Sequence, residues 1–277
     1  MSLFWFPAAM SLRLLGLCCF ALLSQSAAAY VIDGNLQPDW SINKTTMAPG
    51  SAVKGYTVED WTRNGSGFLS PGYGGQAYDA EALYVDFDAT TLYLGLITGM
   101  NPAMRMGNGN YAPGDFLIDF GRDGKFEYGF TTTDIKNTNG SAYRPTIKVG
   151  SLYRIGDATN GWYFGLWNGQ NKNYANGRDP VAVKAGTLIG DGKVATSGPV
   201  SGYGQYATDT HYMYEAAIPL ALFGGDWGKP FDVQWSMLCG NDVISADPVA
   251  SVPEPMSLAL VGSALGALAL SRRKRRA

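Results

Sequence analysis

The chain has almost no histidine or cysteine. Among 277 residues there is one histidine, His211, and there are three cysteines, of which Cys18 and Cys19 lie in an apolar run near the N-terminus. With that run set aside Cys239 stands alone, so an intramolecular disulfide and a cysteine-based zinc site are both excluded. Charged side chains are scarce, at 16 % of residues. No Gly-x-Ser-x-Gly elbow precedes a helix, no helical period is sustained through the middle of the chain, and nothing repeats at solenoid spacing. A serine hydrolase built on such an elbow and a helical-repeat scaffold therefore find no support.

What is present is most distinctive at the two ends. Residues 12–23 are apolar apart from Arg13 near the start, and Ser24, Gln25, Ser26 and then Ala27-Ala28-Ala29 follow. This order of charged, apolar and small residues reads as a secretory signal over residues 1–29, with Ala27 and Ala29 before the cut and Tyr30 after it. The run is too short for a permanent membrane helix. The stretch before Met10 is apolar for a signal start, so translation from Met10 is an alternative to Met1. Neither Cys18 nor Cys19 follows the small residue of a lipid-attachment site, and both leave with the signal. At the other end Val252-Pro253-Glu254-Pro255 precedes an apolar run over residues 256–270, and Arg272, Arg273, Lys274, Arg275 and Arg276 close the chain. As a helix that run would reach roughly 22 Å, short of a ~30 Å hydrocarbon core, and snorkelling basic side chains make up the difference. The cations stay cytoplasmic, which leaves everything before Pro253 outside. A buried helix would show a polar face, and this run has none.

All three parts of this tail, the Pro253-Glu254-Pro255 motif, the apolar stretch and the terminal basic cluster, resemble the PEP-CTERM sorting signal of Gram-negative bacteria. The resemblance covers residues 252–277. It implies processing near the motif by an exosortase, a membrane cysteine peptidase, and association with exopolysaccharide or biofilm matrix. The expected partners are thus the secretion translocon and signal peptidase, the exosortase, and exopolysaccharide, with membrane contact only through the tail before processing. The product is expected at the cell surface or in the extracellular matrix.

Without Arg13 and the five tail cations the 21 basic residues become 15, and without Glu254 the 23 acidic ones become 22, so the central domain is near −7. A nucleic-acid partner would reward the opposite charge.

The central stretch, residues 30–251, alternates with period two. Leu83, Val85 and Phe87 interleave with polar or small neighbours, as do Leu92, Leu94 and Leu96, and Asp88-Ala89-Thr90 between them reads as a hairpin turn. Phe116, Ile118 and Phe120 lead through residues 121–124 to Phe126, Tyr128 and Phe130. Further strands are predicted over residues 162–167, 181–189, 212–218 and 231–238, and a helical turn over 220–223 after Pro219. Many short strands separated by Gly, Asn and Asp turns predict an all-β class, a single antiparallel, jelly-roll-like β-sandwich with short helical turns, flanked by the signal helix and the transmembrane tail. Ile32-Asp33-Gly34 with Trp40, Ala82-Leu83-Tyr84-Val85, Leu92-Tyr93-Leu94-Gly95, Gly114-Asp115-Phe116-Leu117-Ile118-Asp119 and Tyr214-Glu215-Ala216-Ala217-Ile218-Pro219 with Phe223-Gly224 together resemble the β-sandwich of family-nine carbohydrate-binding modules and DOMON-like domains. The run from Trp235 to Asp242 is similar to one that precedes the tail in PEP-CTERM surface proteins.

Sugars stack on aromatic faces while polar side chains hold their hydroxyls. Trp61, Trp162, Tyr163 and Trp167, in or beside Gly/Asn-rich segments, are the candidates for this, against the simpler reading of each as core. Opposite parity on one strand would let only one of Trp162 and Trp167 be core, and Trp235 is expected in the core. Asp119-Phe120-Gly121-Arg122-Asp123-Gly124 partly resembles an Asp-x-Asp-x-Asp-Gly calcium loop, lacking its second oxygen ligand and its closing Glu. A plain hairpin turn is the simpler reading, and Asp119 and Asp123 are the residues that would bind a cation. Nothing else suggests a cofactor. His211 with Met100, Met104 or Met106 could ligate haem, without any supporting spacing, and no spacing marks His211 as catalytic. The sequence thus points to a non-catalytic surface or matrix protein that associates with exopolysaccharide. The alternative is an extracellular polysaccharide-active enzyme using loop carboxylates.

Overall fold

The computed structural model describes residues 30–62 and 74–248. The signal segment with Ala27 and Ala29 lies outside them, as does the tail with Pro253, Glu254, Pro255, Arg272, Arg273, Lys274, Arg275 and Arg276. Among the described residues no helix is long and apolar enough to cross a membrane.

The fold is mostly β. In chain order the strands are β1 (Gly55–Val58), β2 (Ala80–Phe87), β3 (Thr91–Thr98), β4 (Phe116–Phe120), β5 (Tyr128–Phe130), β6 (Ser151–Arg154), β7 (Trp162–Phe164), β8 (Pro180–Val183), β9 (Thr187–Asp191), β10 (Lys193–Thr196), β11 (Tyr212–Pro219), β12 (Phe231–Ser236) and β13 (Val243–Ala246). They form an antiparallel five-stranded sheet, β1-β2-β3-β11-β10, an antiparallel six-stranded sheet, β13-β12-β4-β5-β6-β9, and a separate hairpin, β7-β8. The helical pieces are short: α1 (Leu36–Trp40) and 3₁₀ turns over Gln76–Tyr78 and Leu220–Asp226. The two larger sheets are arranged as a sandwich.

The alternating residues of the sequence supply the layer between the sheets. Leu83, Val85, Leu92, Leu94, Leu96, Tyr214, Ala216 and Ile218 from the first sheet pack with Phe116, Ile118, Phe130, Val233, Trp235 and Ile244 from the second. The β2–β3 hairpin forms where alternation and turn chemistry agree. Asp88 Oδ1 accepts the N–H groups of Thr90 at 2.7 Å and Thr91 at 2.9 Å, which satisfies the turn without a glycine.

Alternation normally marks a sheet with one wet face, yet seven of the eight residues of β2 are buried. The outer face of the first sheet is covered. Ala82, Tyr84, Tyr93, Ile97 and Met213 pack beneath Leu36, Trp40, Ile42 and Met47 of the N-terminal segment and beneath Tyr203. The outer face of the second sheet is covered in part by the β7–β8 hairpin, through Leu117, Tyr153, Ile155, Trp162, Tyr174 and Val183.

Three predicted elements differ from the observed ones. The strand expected over 162–167 ends at Phe164, because Gly165 and Leu166 turn their N–H groups to Asp179 O and Cys239 O. The strand expected over 181–189 is two, β8 and β9. Lys184 and Ala185 donate to Gly161 O between them, and a Cβ on Gly186 would sit 2.8 Å from Arg154 O. The connection after β4 is longer than a tight turn, since the last β4–β5 pair is Ile118 with Tyr128.

Candidate functional site

The aromatic candidates end in different environments. Trp61 follows β1 and is 50 % exposed. Its indole lines an open hollow of about 410 Å³ together with Thr45, Thr46, Met47, Glu59, Asp60 and Gln205. Gln205 fixes one wall by donating its backbone N–H to the Asp60 carboxylate and its side-chain amide to Asp60 O. The hollow therefore brings an exposed aromatic residue together with residues that carry hydroxyl, carboxylate and amide groups. Trp162 is 1 % exposed and packs under the second sheet. Tyr163 is half-buried against the Tyr143 ring, 5.1 Å between centroids. Trp167 is half-buried in the loop after β7. Because that strand stops at Phe164, the parity that would oppose Trp162 to Trp167 does not apply. Trp235 is fully buried.

A second concave region lies on the outer face of the six-stranded sheet, at the end that the β7–β8 hairpin leaves open. Outward residues of β4, β12 and β13, namely Asp119, Asp232, Gln234 and Ser245, line it. Arg122 and Gly124 on one side and Gln170, Asn171 and Asn173 on the other complete a trough of about 370 Å³. Asn171 and Asn173 donate their amides to Gly124 O and Asp123 O, which clasps the two loops together. Asp179 anchors the second loop, accepting from the N–H groups of Gln170 and Asn171, both at 3.1 Å.

Asp119 and Asp123 come together here with a third carboxylate. The Asp119 side chain accepts the N–H groups of Asp123 at 3.3 Å and Gly124 at 2.6 Å, and Glu127 turns back to accept from Phe120 N–H at 2.8 Å. One oxygen each of Asp119, Asp123 and Glu127 lies within 4.8 Å of the other two. Hard oxygen donors at that spacing could hold a calcium-class cation. Glu127 escapes a motif search because it stands eight residues after Asp119, at an earlier position than the usual closing Glu. Burial is the main cause that raises the pKa of Asp119 and of Glu127, and also of Asp232, which pairs with Asp119 across β4 and β12.

His211 and the methionines are part of the packing. His211 is fully buried, with Nδ1 2.7 Å from Glu81 Oε2. Met100 sits in the core between the sheets, and Met106 Sδ accepts the Ala112 N–H at 3.2 Å.

Sequence reading also missed a role for Tyr30. Its ring lies 4.4 Å from that of Trp40 and 4.7 Å from that of Tyr93, and its hydroxyl donates to Asp86 at 2.5 Å. The residue expected to begin the processed chain is thus already part of the folded domain. No protein-family model matches the chain and no curated protein matches it.

Proposed function

We propose that this is an exported protein, cleaved before Tyr30 and processed by an exosortase near Pro253-Glu254-Pro255, whose sandwich associates non-catalytically with exopolysaccharide at the cell surface or in the matrix. The observation that carries the binding half is the half-exposed Trp61 indole in a hollow edged by Thr45, Thr46, Asp60 and Gln205. Stacking on such a face, with hydroxyls held at its rim, is how proteins grip sugars. The acidic central domain and the tail resemblance supply the setting.

Retention on the producing organism's own polysaccharide tests this reading. The full chain should be retained, and Trp61→Ala should weaken retention about tenfold or more, in line with the loss of an aromatic anchor. Equal retention of the variant sinks the assignment to Trp61, and no retention of either protein sinks the binding reading.

One observation favours hydrolysis instead. Asp119 and Asp232 face one trough from neighbouring strands, and burial raises the pKa of both. Paired carboxylates of this kind serve glycosidases. New reducing ends on incubation with the polysaccharide, abolished in Asp232→Asn, would establish that reading in place of the first.

A further inference from the structure

We propose that Asp79, Asp242 and Gln76 form a buried site for one calcium-class divalent cation, which clasps the start of β2 in the first sheet to the chain leading into β13 in the second.

Asp79 stands just before β2 and Asp242 just before β13, and both are fully buried. The main chain of Asp79 is well provided for. Its N–H donates to Gln76 O at 3.2 Å, and its C=O accepts from Gly99 N–H at 3.0 Å and from the Thr98 hydroxyl at 2.5 Å. Its carboxylate is not, for neither oxygen meets a hydrogen-bond donor. The group it does meet is the carboxylate of Asp242, which the Ala80 N–H holds in place at 2.7 Å. Two carboxylates in contact repel unless a proton or a cation lies between them.

The surroundings add acceptors rather than donors. Gln76, on the 3₁₀ turn before Asp79, gives its amide nitrogen to Glu81 and Thr210 O, which leaves its Oε1 buried without a donor. Glu59 lies close enough to Asp242 for the two charges to repel, and Glu81 does the same to Asp79. Among the described residues neither Asp79, Glu81 nor Glu59 forms an ion pair with a lysine or arginine. The only ion-pair partner of Glu81 there is His211.

A shared proton would satisfy one oxygen of Asp79 and leave the other oxygen and Gln76 Oε1 bare. A cation between the two carboxylates takes both oxygens of Asp79, and we assign Gln76 Oε1, on the turn that leads into Asp79, to it as a further donor. An all-oxygen donor set without thiolate or imidazole selects a hard ion that takes many oxygens in irregular geometry, which is calcium in preference to a transition metal. The inference concerns the fold and stands whether or not the protein binds polysaccharide. The site is separate from the Asp119, Asp123 and Glu127 group on the outer face of the second sheet.

The test uses the full chain stripped with EDTA and titrated with CaCl₂, read by bound calcium per chain and by thermal melting. A calcium level a hundredfold above Kd should raise Tm by roughly 5–10 °C. Asp79→Asn should lose at least tenfold in calcium affinity together with that shift, while Asp134→Asn, an exposed acid outside both groups, keeps both. Should Asp79→Asn fail to fold, Gln76→Leu replaces it, with an expected weakening of severalfold. The proposal is overturned by a wild-type chain whose Tm ignores calcium. It is equally overturned if Asp134→Asn abolishes the response, or if neither Asp79→Asn nor Gln76→Leu changes it.

Discussion

Glu215 Oε1 accepts the indole N–H of Trp40 at 3.0 Å across 175 residues of sequence. Its other oxygen accepts the backbone N–H groups of Gly34 at 3.0 Å and Asp33 at 3.2 Å, so one fully buried carboxylate ties the N-terminal segment to β11. Gly34 is needed at this junction. Its φ is +85°, and a Cβ there would lie 2.6 Å from the Thr196 backbone. Trp40→Phe keeps most of the apolar volume but strands Glu215 Oε1, and should cost about 1–3 kcal/mol in urea unfolding. Trp40→Ala, which also empties the space beneath α1, should cost about 3–5 kcal/mol.

A buried ion pair makes a contrasting case. Arg144 Nη2 lies 2.8 Å from Asp115 Oδ1 and Arg144 Nη1 contacts the other oxygen, while Thr132 N–H and Val183 N–H complete the carboxylate. Arg144→Met leaves a buried charge without its partner and should lower stability by about 3–5 kcal/mol. The double variant with Asp115→Asn should cost less than the sum of the two single changes in the same unfolding assay.

Cys239 should be chemically silent in the native protein. It is buried, its Sγ donates to Asn241 Oδ1 at 2.8 Å, and burial pushes its thiol up to about 12. Because the thiolate is the reactive form, a thiol-specific disulfide reagent at pH 8 should leave Cys239 unlabelled until denaturant is added. Rapid labelling of Cys239 in the folded protein, mapped by peptide mass, would contradict this.

Stability should fall as pH rises when divalent cations are chelated. Burial and the neighbouring Asp242 raise the Glu59 carboxyl from 4.5 to about 7 in the folded protein. A raised folded pKa means that the unfolded chain releases this proton first, so the contribution is fully present below about pH 4.5 and is lost as pH climbs through 7. The urea midpoint in EDTA should therefore be lower at pH 8 than at pH 5. Glu59→Gln should flatten the part of that dependence between pH 4.5 and 7. A midpoint that rises over this range would refute the assignment.

The sandwich was readable where alternation, turn chemistry and length agreed, as in β2, β3 and β11. The strands that escaped, β1, β6, β10 and β13, are four residues each, too short for a period to declare itself. Helix α1 escaped because Leu36–Trp40 carries Pro38 and has a single turn to offer. For the candidate sites the limit was different. Trp61 and Trp162 both stand beside Gly/Asn-rich segments, and what buries Trp162 is its packing with Leu117, Tyr153 and Val183, which are distant from it along the chain or on the facing strand. Asp79, Glu81 and Asp242 resemble ordinary solvent-facing acids in the sequence. Their burial is produced by chain segments far away along it, which no local pattern encodes.

The position of β11 between β3 and β10 also means that the first sheet cannot be completed before β11 is available. As the chain emerges from its N-terminus, β1, β2 and β3 can pair early. The free edge of β3, and the anchor that Glu215 offers to Trp40, then wait until Tyr212–Pro219 arrives. The first sheet is thus completed late, by non-local pairing of the kind that slows folding. Until then the β3 edge has no partner in its sheet, and the sandwich cannot close over it.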